Sequence, residues 1–247
     1  MKRAAALLLI SLLTTAGFAG EPAGAGAPAV PAADIVANYM QAMDKQQRTQ
    51  KDLASDVIFQ ASIPKLKKQG KLSALRKISA VGRVTYKVLG FWGDDTVKKE
   101  VIARYMTLEL DSASKNSGEM AITPENYNFK YKGLQNKDKS DTRVHVLELK
   151  PKKKRVGLFK GEIWLDEQTY MPVREQGRFV KSPSVFIKKV EFVRNYEIRD
   201  GVAFLMHMET RTDTRIVGTA ELNVDYANYH VEHDTEAALE EARRRVN

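Results

Sequence analysis

Four histidines are the residues best suited to proton transfer or metal binding, and their spacing supports neither role strongly. His145 and His207 fall within alternating, strand-like runs, whereas His230 and His233 lie three residues apart near the end of the chain. Such a pair could offer two imidazoles to a metal ion. The chain has no cysteine, so thiolate ligands and thiolate nucleophiles are excluded. We interpret the pair as part of a solvated chain end, and we expect no metal and no cofactor.

Sequence motifs that mark catalytic or nucleotide-binding sites are missing. The sequence contains no Gly-x-Ser-x-Gly elbow, no phosphate-binding loop and no dinucleotide fingerprint. Carboxylates are plentiful, but most of them fall in loops or on the solvent side of strand-like runs. The sequence therefore favours a binding protein over an enzyme.

Positive charge exceeds negative charge, with 40 lysines and arginines against 31 acidic residues. The segment 150–155 carries five basic residues around Pro151. It could contact phospholipid headgroups or an acidic partner, or it could be a solvated loop between two strands. Nucleic-acid binding is disfavoured because the chain begins with a secretory signal.

That signal occupies residues 1–19. Lys2 and Arg3 precede the apolar run Ala4–Leu13, which is shorter than the ~20 residues needed to span a bilayer. A small-x-small cleavage site follows at residues 17–19, as in secretory signal peptides. We expect a periplasmic protein without a lipid anchor, because no cysteine follows the apolar run.

The remaining chain divides into a linker and one domain. Residues 20–33 are rich in Ala, Gly and Pro and predict a flexible tether. Residues 34–247 have the length of a single domain. Within it, the apolar spacing that includes Tyr39 and Met43 predicts an amphipathic helix over Asp34–Gln47. Asp234–Arg245 predicts a second, charged helix.

Between these helices the apolar residues recur with the period of two that is typical of strands. Leu72–Leu89 predicts one long strand, with a bulge or bend at Gly82, and Lys98–Leu110 predicts the strand that returns beside it. Glu119–Thr123 predicts a short strand. Gly161–Gly177 predicts a β-hairpin whose turn contains Asp166–Thr169. Short turns join about ten or eleven such strands, which predicts an antiparallel meander.

A flat sheet of this size would leave one large apolar face in water, so it must curl or be covered. We predict a mainly β fold in which a curved antiparallel sheet of about eleven strands forms an incomplete barrel, with helices over the open side. Barrels that side chains do not fill enclose ligand cavities. The alternative is an ordinary filled core. The candidate cavity residues are Tyr39, Met43, Val84, Tyr86, Met106, Phe186, Phe192, Phe204, Met206, Met208 and Leu222.

An aromatic pair, Phe91 and Trp92, lies in a glycine-flanked segment that predicts a hairpin turn. Exposed aromatic residues at such a tip could enter a bilayer interface, where Trp is well suited. Alternatively, the pair folds back and caps the end of the barrel.

Two motifs resemble those of the LolA/LolB-like family of periplasmic lipoprotein carriers. One is Leu147-x-Leu149-x-Pro151, and the other is Ile163-x-Leu165-Asp166-x-x-Thr169-x-x-Pro172. The resemblance implies an unclosed barrel whose cavity accepts the acyl chains of lipoproteins or other lipids. It also implies an arginine on an early strand that latches a helical lid, for which Arg76 and Arg83 are the candidates.

The expected function is therefore passive transport. The concave face would shield acyl chains from water while the Asp34–Gln47 helix acts as a removable lid. Inner-membrane donor and outer-membrane acceptor proteins are possible partners. The alternative is an envelope sensor or regulatory module that uses the same fold to bind a membrane protein. We expect a monomer.

Overall fold

The computed structural model describes residues 31–49, 52–114, 117–137 and 142–231. The predicted signal peptide, most of the predicted linker, His233 and the predicted helix Asp234–Arg245 lie outside these residues. None of the helices in the described ranges is both long enough and apolar enough to span a membrane.

The described chain alternates a few helices with ten strands. A 3₁₀ turn, Pro64–Leu66, joins the first two strands. The second helix is composite, because a π-helical stretch, Lys98–Ala103, lies between two α-helical stretches. The elements are α1 (Ala32–Thr49), β1 (Leu53–Ile63), β2 (Lys68–Ile78), β3 (Val84–Gly93), α2 (Asp95–Ser114), α3 (Ser117–Met120), β4 (Tyr127–Asn136), β5 (Arg143–Pro151), β6 (Phe159–Asp166), β7 (Pro172–Phe179), β8 (Ile187–Arg199), β9 (Val202–Thr214) and β10 (Thr219–Val231).

The ten strands form one antiparallel sheet in the order β3-β2-β1-β10-β9-β8-β7-β6-β5-β4. The sheet is curved and unclosed, with β3 and β4 as its two edges. α2 and α3 connect these two edges along the chain. The predicted fold class is confirmed, with ten strands in place of about eleven, and so is the incomplete barrel that the LolA/LolB-like resemblance implies.

The predicted strand Lys98–Leu110 is wrong, because this segment is helix α2. Asp94 caps the helix, and its Oδ1 accepts a hydrogen bond of 2.7 Å from the backbone N–H of Thr96. The predicted strand Glu119–Thr123 is wrong as well, since α3 ends at Met120 and bends and turns follow it. The side chains that α2 turns toward the sheet recur every three or four residues, as one helix face requires; they include Val97, Val101, Ile102, Tyr105 and Met106.

The predicted single strand Leu72–Leu89 is two strands, β2 and β3. Between them the backbone turns back, and Gly82 has a φ of +77°, which glycine adopts readily. The N–H of Gly82 donates to the carbonyl of Ser79, and the N–H of Arg83 donates to the Ser79 hydroxyl. Phe91 and Trp92 therefore belong to edge strand β3 rather than to a hairpin turn.

The hairpin predicted at Gly161–Gly177 is confirmed as β6 and β7. Oδ1 of Asp166 accepts hydrogen bonds from the Thr169 backbone N–H at 2.8 Å and the Thr169 hydroxyl at 2.7 Å, which closes the turn. Gly161 pairs with Gly177 across the two strands. A Cβ atom on Gly161 would lie 1.9 Å from the carbonyl oxygen of Gln176, so glycine is required for this close approach.

Two apolar clusters fill the space between the sheet and the helices. The α1 cluster joins α1 to the strands β4 to β8, and the α2 cluster joins α2 to β1, β2, β9 and β10. Members of the α1 cluster are Ile35, Tyr39, Tyr127, Leu147, Leu149, Leu158, Phe159, Ile163, Leu165 and Phe192. Members of the α2 cluster are Val57, Phe59, Ala61, Ile63, Leu72, Ala74, Val97, Ile102, Met208, Ala220, Leu222, Val224 and Tyr226.

Candidate ligand cavity

The inner face of the sheet is the apolar surface on which a lipid could lie, and the two helices cover it. α1 contributes Ile35 and Tyr39, and α2 contributes Val97 and Ile102, all of them buried. Burial of apolar groups stabilises this arrangement by about 0.8 kcal/mol per methylene. A bound acyl chain would make the same kind of contact, so it would compete with the helices for one surface.

An ion pair fastens α2 to this face. Arg76 of β2 donates to Oε1 of Glu109 in α2 from Nη2 at 2.7 Å and from Nε at 2.9 Å. The Tyr86 hydroxyl of β3 donates to the other carboxylate oxygen of Glu109. The side chains of Arg76 and Glu109 are only 14% and 19% exposed. We call these three residues the Arg76 latch.

The surroundings of the Arg76 latch keep its arginine charged and its tyrosine neutral. Burial opposes the charged form of Arg76, but Glu109, Tyr86 and Tyr226 together outweigh this effect and raise the pKa of Arg76 above its usual value. Burial and the Glu109 carboxylate both raise the pKa of Tyr86. The other arginine suggested by the resemblance, Arg83, is exposed in the β2–β3 turn. Arg76 is therefore the early-strand arginine that contacts the helix.

A second ion pair lies on strands β7 and β8. Nη1 of Arg194 is 3.1 Å from Oε2 of Glu175, and the Arg194 guanidinium lies 4.8 Å from the centre of the Phe192 ring. Burial and the nearby Glu175 carboxylate both raise the pKa of Tyr196. Burial lowers the pKa of Arg194, whereas Tyr196 and Glu175 raise it. The net effect is a pKa above the usual value of arginine, so the guanidinium stays charged. The inner face thus carries paired charges among its apolar residues.

The C-terminal end of α1 is held by one glutamine. Nε2 of Gln46 donates to the carbonyl oxygen of Ala203 at 3.0 Å, and the N–H of Ala203 donates to Oε1 of Gln46 at 2.8 Å. Both residues are buried. Two reciprocal hydrogen bonds satisfy a polar side chain that would otherwise be costly to bury. We call this contact the Gln46 clamp.

A cavity of about 100 Å³ separates the Gln46 clamp from the Arg76 latch. Small-molecule sites usually enclose about 300–1,000 Å³, so the cavity is too small for an acyl chain as it stands. A lipid could enter only if a covering helix moved. The lining residues are Gln46, Leu53, Arg76, Ile78, Tyr196, Ala203, Leu205, Tyr226 and Tyr229.

Most of the predicted cavity residues lie on the covered side of the sheet. Tyr39, Met43 and Phe192 belong to or pack against the α1 cluster. The α2 cluster contains Met208 and Leu222, and it is contacted by Tyr86 and Met106. Val84 is buried at the start of β3, opposite Ile78 of the cavity lining. Their contact with a lipid stays a prediction.

Phe186, Phe204 and Met206 do not lie where the alternation predicts. Phe186 precedes β8 and is 56% exposed. In β9, Leu205 pairs with Tyr196 but His207 pairs with Asn195, so Met206 is an extra residue in a bulge. The bulge reverses the alternation, which places Ala203, Leu205 and Met208 on the inner face. Phe204 instead packs beneath Arg199, which also donates to the sulfur of Met206.

The two aromatic residues of β3 have different environments. Phe91 packs against the α2 cluster, and Nζ of Lys98 lies 4.7 Å from the centre of its ring. Trp92 points away from that cluster and is 66% exposed. The membrane contact of this pair stays a prediction, because the structure contains no bilayer.

Four residues of this site were not predicted from the sequence: Glu109, Glu175, Arg194 and Gln46. The sequence does contain a signal for the two arginines of the ion pairs, Arg76 and Arg194. Arg76 shares the apolar parity of Leu72 and Ala74, and Arg194 falls between Phe192 and Tyr196 in the same alternation. A charge on an apolar strand face needs a partner when it is buried. The partners themselves lie far away in sequence and were not predictable from spacing.

The basic segment and the histidines have structural contacts. Nζ of Lys152 donates to the carbonyl of Pro124, and Arg155 pairs with Glu119 at 3.0 Å. His145 stacks on Tyr170 and hydrogen-bonds Tyr131. Within the described ranges, no three histidine or carboxylate side chains are grouped so that they could hold a metal ion.

Solved structures with a distant likeness to this chain include three from different bacteria. A DUF1329 family protein from Desulfovibrio piger is 14% identical, with 81% of this chain and 94% of that chain covered and a TM-score of 0.40. A LolA superfamily protein from Nitrosomonas europaea is 13% identical, with 83% and 95% covered and a TM-score of 0.37. An outer-membrane lipoprotein-sorting protein domain from Vibrio parahaemolyticus is 13% identical, with 81% and 92% covered and a TM-score of 0.41. No protein-family model and no curated protein matches the sequence.

Proposed function

We propose that this protein is a periplasmic carrier that shields the acyl chains of lipoproteins or other lipids on the inner face of its sheet. The Arg76 latch carries the proposal. Beside the apolar α2 cluster, it ties α2 to the inner face of the sheet through polar contacts that can break and form again. A lid that must open repeatedly needs a contact that can break and form again.

The latch suits reversible opening because water can replace it. When α2 moves away, Arg76 and Glu109 become solvated and recover much of the free energy of their ion pair. The apolar groups of the α2 cluster are different, since water does not replace their contacts. An acyl chain can replace these apolar contacts, and it therefore favours the open position of the helix over the closed one.

The sequence supplies the location. The predicted signal peptide would direct the chain out of the cytoplasm. Transfer between an inner-membrane donor and an outer-membrane acceptor would need only a small difference in affinity at each step.

Purification of the protein from bacterial cells, followed by lipid mass spectrometry, tests the proposal. We expect acyl lipid or lipoprotein in a stoichiometric amount. Stripped protein should bind a fluorescent fatty acid and release it to added lipid. Lipid-free protein that also fails to bind the fluorescent probe would contradict a carrier function.

Edge strand β3 favours one alternative, a regulatory module that binds a protein partner. Val88 and Leu89 are 50% and 60% exposed on this edge, and the outer side of an edge strand presents unpaired backbone groups that an extended peptide can join. In that case the purified protein would carry no lipid, and one envelope protein would be captured in a stoichiometric complex. Charged substitutions of Val88 and Leu89 should then abolish the complex.

A further inference from the structure

A polar groove of about 290 Å³ crosses the outer face of the sheet, on the side away from α1 and α2. Phe59 and Ala61 of β1 point inward and are buried, so the alternating residues Gln60 and Ser62 point outward. The groove crosses four neighbouring strands: β3, β2, β1 and β10. It shares no lining residue with the inner cavity.

The strand register arranges the outward side chains of the groove in two rows. In the first row Trp92 pairs with Lys71, Lys71 with Gln60, and Gln60 with Asn223. In the second row Gln69 pairs with Ser62 and Ser62 with Glu221. Strands are about 4.8 Å apart, so the first row extends about 14 Å from the indole to the amide.

Trp92 forms one end of the groove as an uncovered aromatic surface. Its side chain is 66% exposed, and within the described ranges no other ring packs against it. Gly90, two residues earlier on the same side, leaves the area beside the indole open. Gly93 has a φ of +116°, and a Cβ there would lie 2.4 Å from the carbonyl oxygen of Gln69. The backbones of β3 and β2 therefore lie very close together at this point.

Three amide side chains of the groove are available to a ligand, whereas Glu221 already accepts a hydrogen bond of 3.4 Å from the Ser62 hydroxyl and pairs with Arg211 at 3.9 Å. Within the part of the chain that the structure describes, the side-chain amides of Gln60, Gln69 and Asn223 form no hydrogen bond with the protein. Each amide offers both a donor and an acceptor. One positive charge, Lys71, and one negative charge, Glu221, give the lining no net charge. A neutral ligand with many hydroxyl groups matches this combination.

We propose that the groove binds a neutral, β-linked oligosaccharide. The aliphatic C–H groups of a pyranose ring carry partial positive charge and stack on the electron-rich face of an indole. The ring hydroxyls then donate to and accept from the three amides and Glu221. An extended β-linked chain can stay within a shallow groove that crosses the strands. A strongly curved chain would leave such a groove.

Isothermal titration with two soluble probes tests the proposal: the β-1,4-linked tetramers of glucose and of N-acetylglucosamine. We expect saturable binding of at least one tetramer to the protein. Trp92→Ala should weaken that binding at least about tenfold, as expected for the loss of the aromatic anchor on which a sugar ring stacks. Gln60→Ala combined with Asn223→Ala should weaken it as well.

Phe186→Ala is the matched control, because it removes an exposed aromatic side chain outside the groove and should leave the affinity unchanged. Thermal unfolding of each variant shows whether it is folded. In a Trp164→Phe protein, Trp92 is the remaining tryptophan, and its fluorescence should change on saturation. The proposal is overturned if neither tetramer binds at millimolar concentration, or if folded Trp92→Ala protein binds as tightly as the unchanged protein.

Discussion

Arg76 and Glu109 are 33 residues apart in sequence, and their ion pair joins a strand to a helix. They lie on β2 and α2, and their charges are largely removed from water. Burying such a pair is costly, so it adds little to stability compared with an apolar contact of the same size. In the proposed carrier, the Arg76 guanidinium donates to Glu109 and so defines the closed position of α2 through a contact that can break and form again.

Glu109→Gln should weaken the latch and make the lid easier to open. The amide loses the charge that pairs with Arg76, and we expect a loss of about 1–3 kcal/mol in the free energy of unfolding. Fluorescent fatty acid should enter faster, since a larger fraction of molecules is open. Urea unfolding and stopped-flow binding measure the two effects.

The control lies on the same helix. Glu100 pairs with Arg104 at 2.6 Å, but both side chains are at least half exposed, so Glu100→Gln should change stability by less than about 0.5 kcal/mol. If the two glutamine variants bind fatty acid at the same rate, Arg76 and Glu109 do not control the lid.

His207 should make stability depend on pH. Burial lowers the pKa of His207, but its hydrogen bonds to Asp225 and Glu209 outweigh this effect and raise the pKa above its usual value. The stabilisation is therefore complete below the pKa of the unfolded chain, about 6.5, and is lost as the pH rises through the higher folded pKa.

His207→Gln should accordingly destabilise the protein more at pH 5.5–6 than at pH 9, because only the protonated imidazole pairs with the two carboxylates. Denaturant unfolding of both proteins across this range gives the difference directly. A difference that does not vary with pH would show that His207 acts through packing alone.

At the scale of elements, the two helices cover the sheet in different ways. α1 lies on the α1 cluster and is held at its C-terminal end by the Gln46 clamp. α2 connects the two edge strands along the chain, contains a π-helical stretch, and is held by the Arg76 latch. π-helical stretches are rare and frequently occur at functional sites. α2 is therefore the better candidate for the moving lid.

Gln46→Ala should release the end of α1. It removes two buried hydrogen bonds to Ala203, each worth about 1 kcal/mol net, so we expect the protein to lose about 1–3 kcal/mol of stability. Hydrogen exchange should accelerate in the last turns of α1. The neighbouring Gln47 is exposed, and Gln47→Ala is the control that should leave both quantities unchanged. Equal exchange in the two variants would show that the Gln46 clamp does not hold the helix.

At the scale of the whole molecule, one sheet presents two separate surfaces. The inner face is apolar, contains paired charges and is covered by helices. The outer face carries the groove at Trp92 on β3, β2, β1 and β10 and a small apolar cluster around Val144 and Val146 on β5. Alternation along each strand assigns neighbouring residues to opposite faces, so a ligand on one face does not touch the residues that bind on the other.

Binding at the two faces should therefore be independent. Saturation with the fluorescent fatty acid should change the affinity for the bound tetramer by less than about twofold, because no lining residue is shared and linkage would require a common change of state. Titration of the tetramer with and without the fatty acid measures this. A larger change would mean that opening of the lid reshapes the outer groove.

The sequence by itself determined the features that depend on neighbouring residues. Asp166, Thr169 and the paired glycines specify the β6–β7 hairpin through local turn geometry and close strand contact. The spacing of Tyr39 and Met43 specifies α1, although the helix extends two residues further at each end than predicted. The period of two specified an antiparallel meander and, from its size, a covered and incomplete barrel.

Only the tertiary structure decided the features that depend on distant partners. The apolar residues of α2 fit a strand or a helix by spacing, and packing against the sheet selected the helix. The bulge at Met206 is defined by pairing with β8, and one extra residue there moves Phe204 to the outer side. The choice of Arg76 over Arg83 required Glu109, 33 residues away from Arg76. Contacts formed by folding, which no local pattern encodes, decide all three.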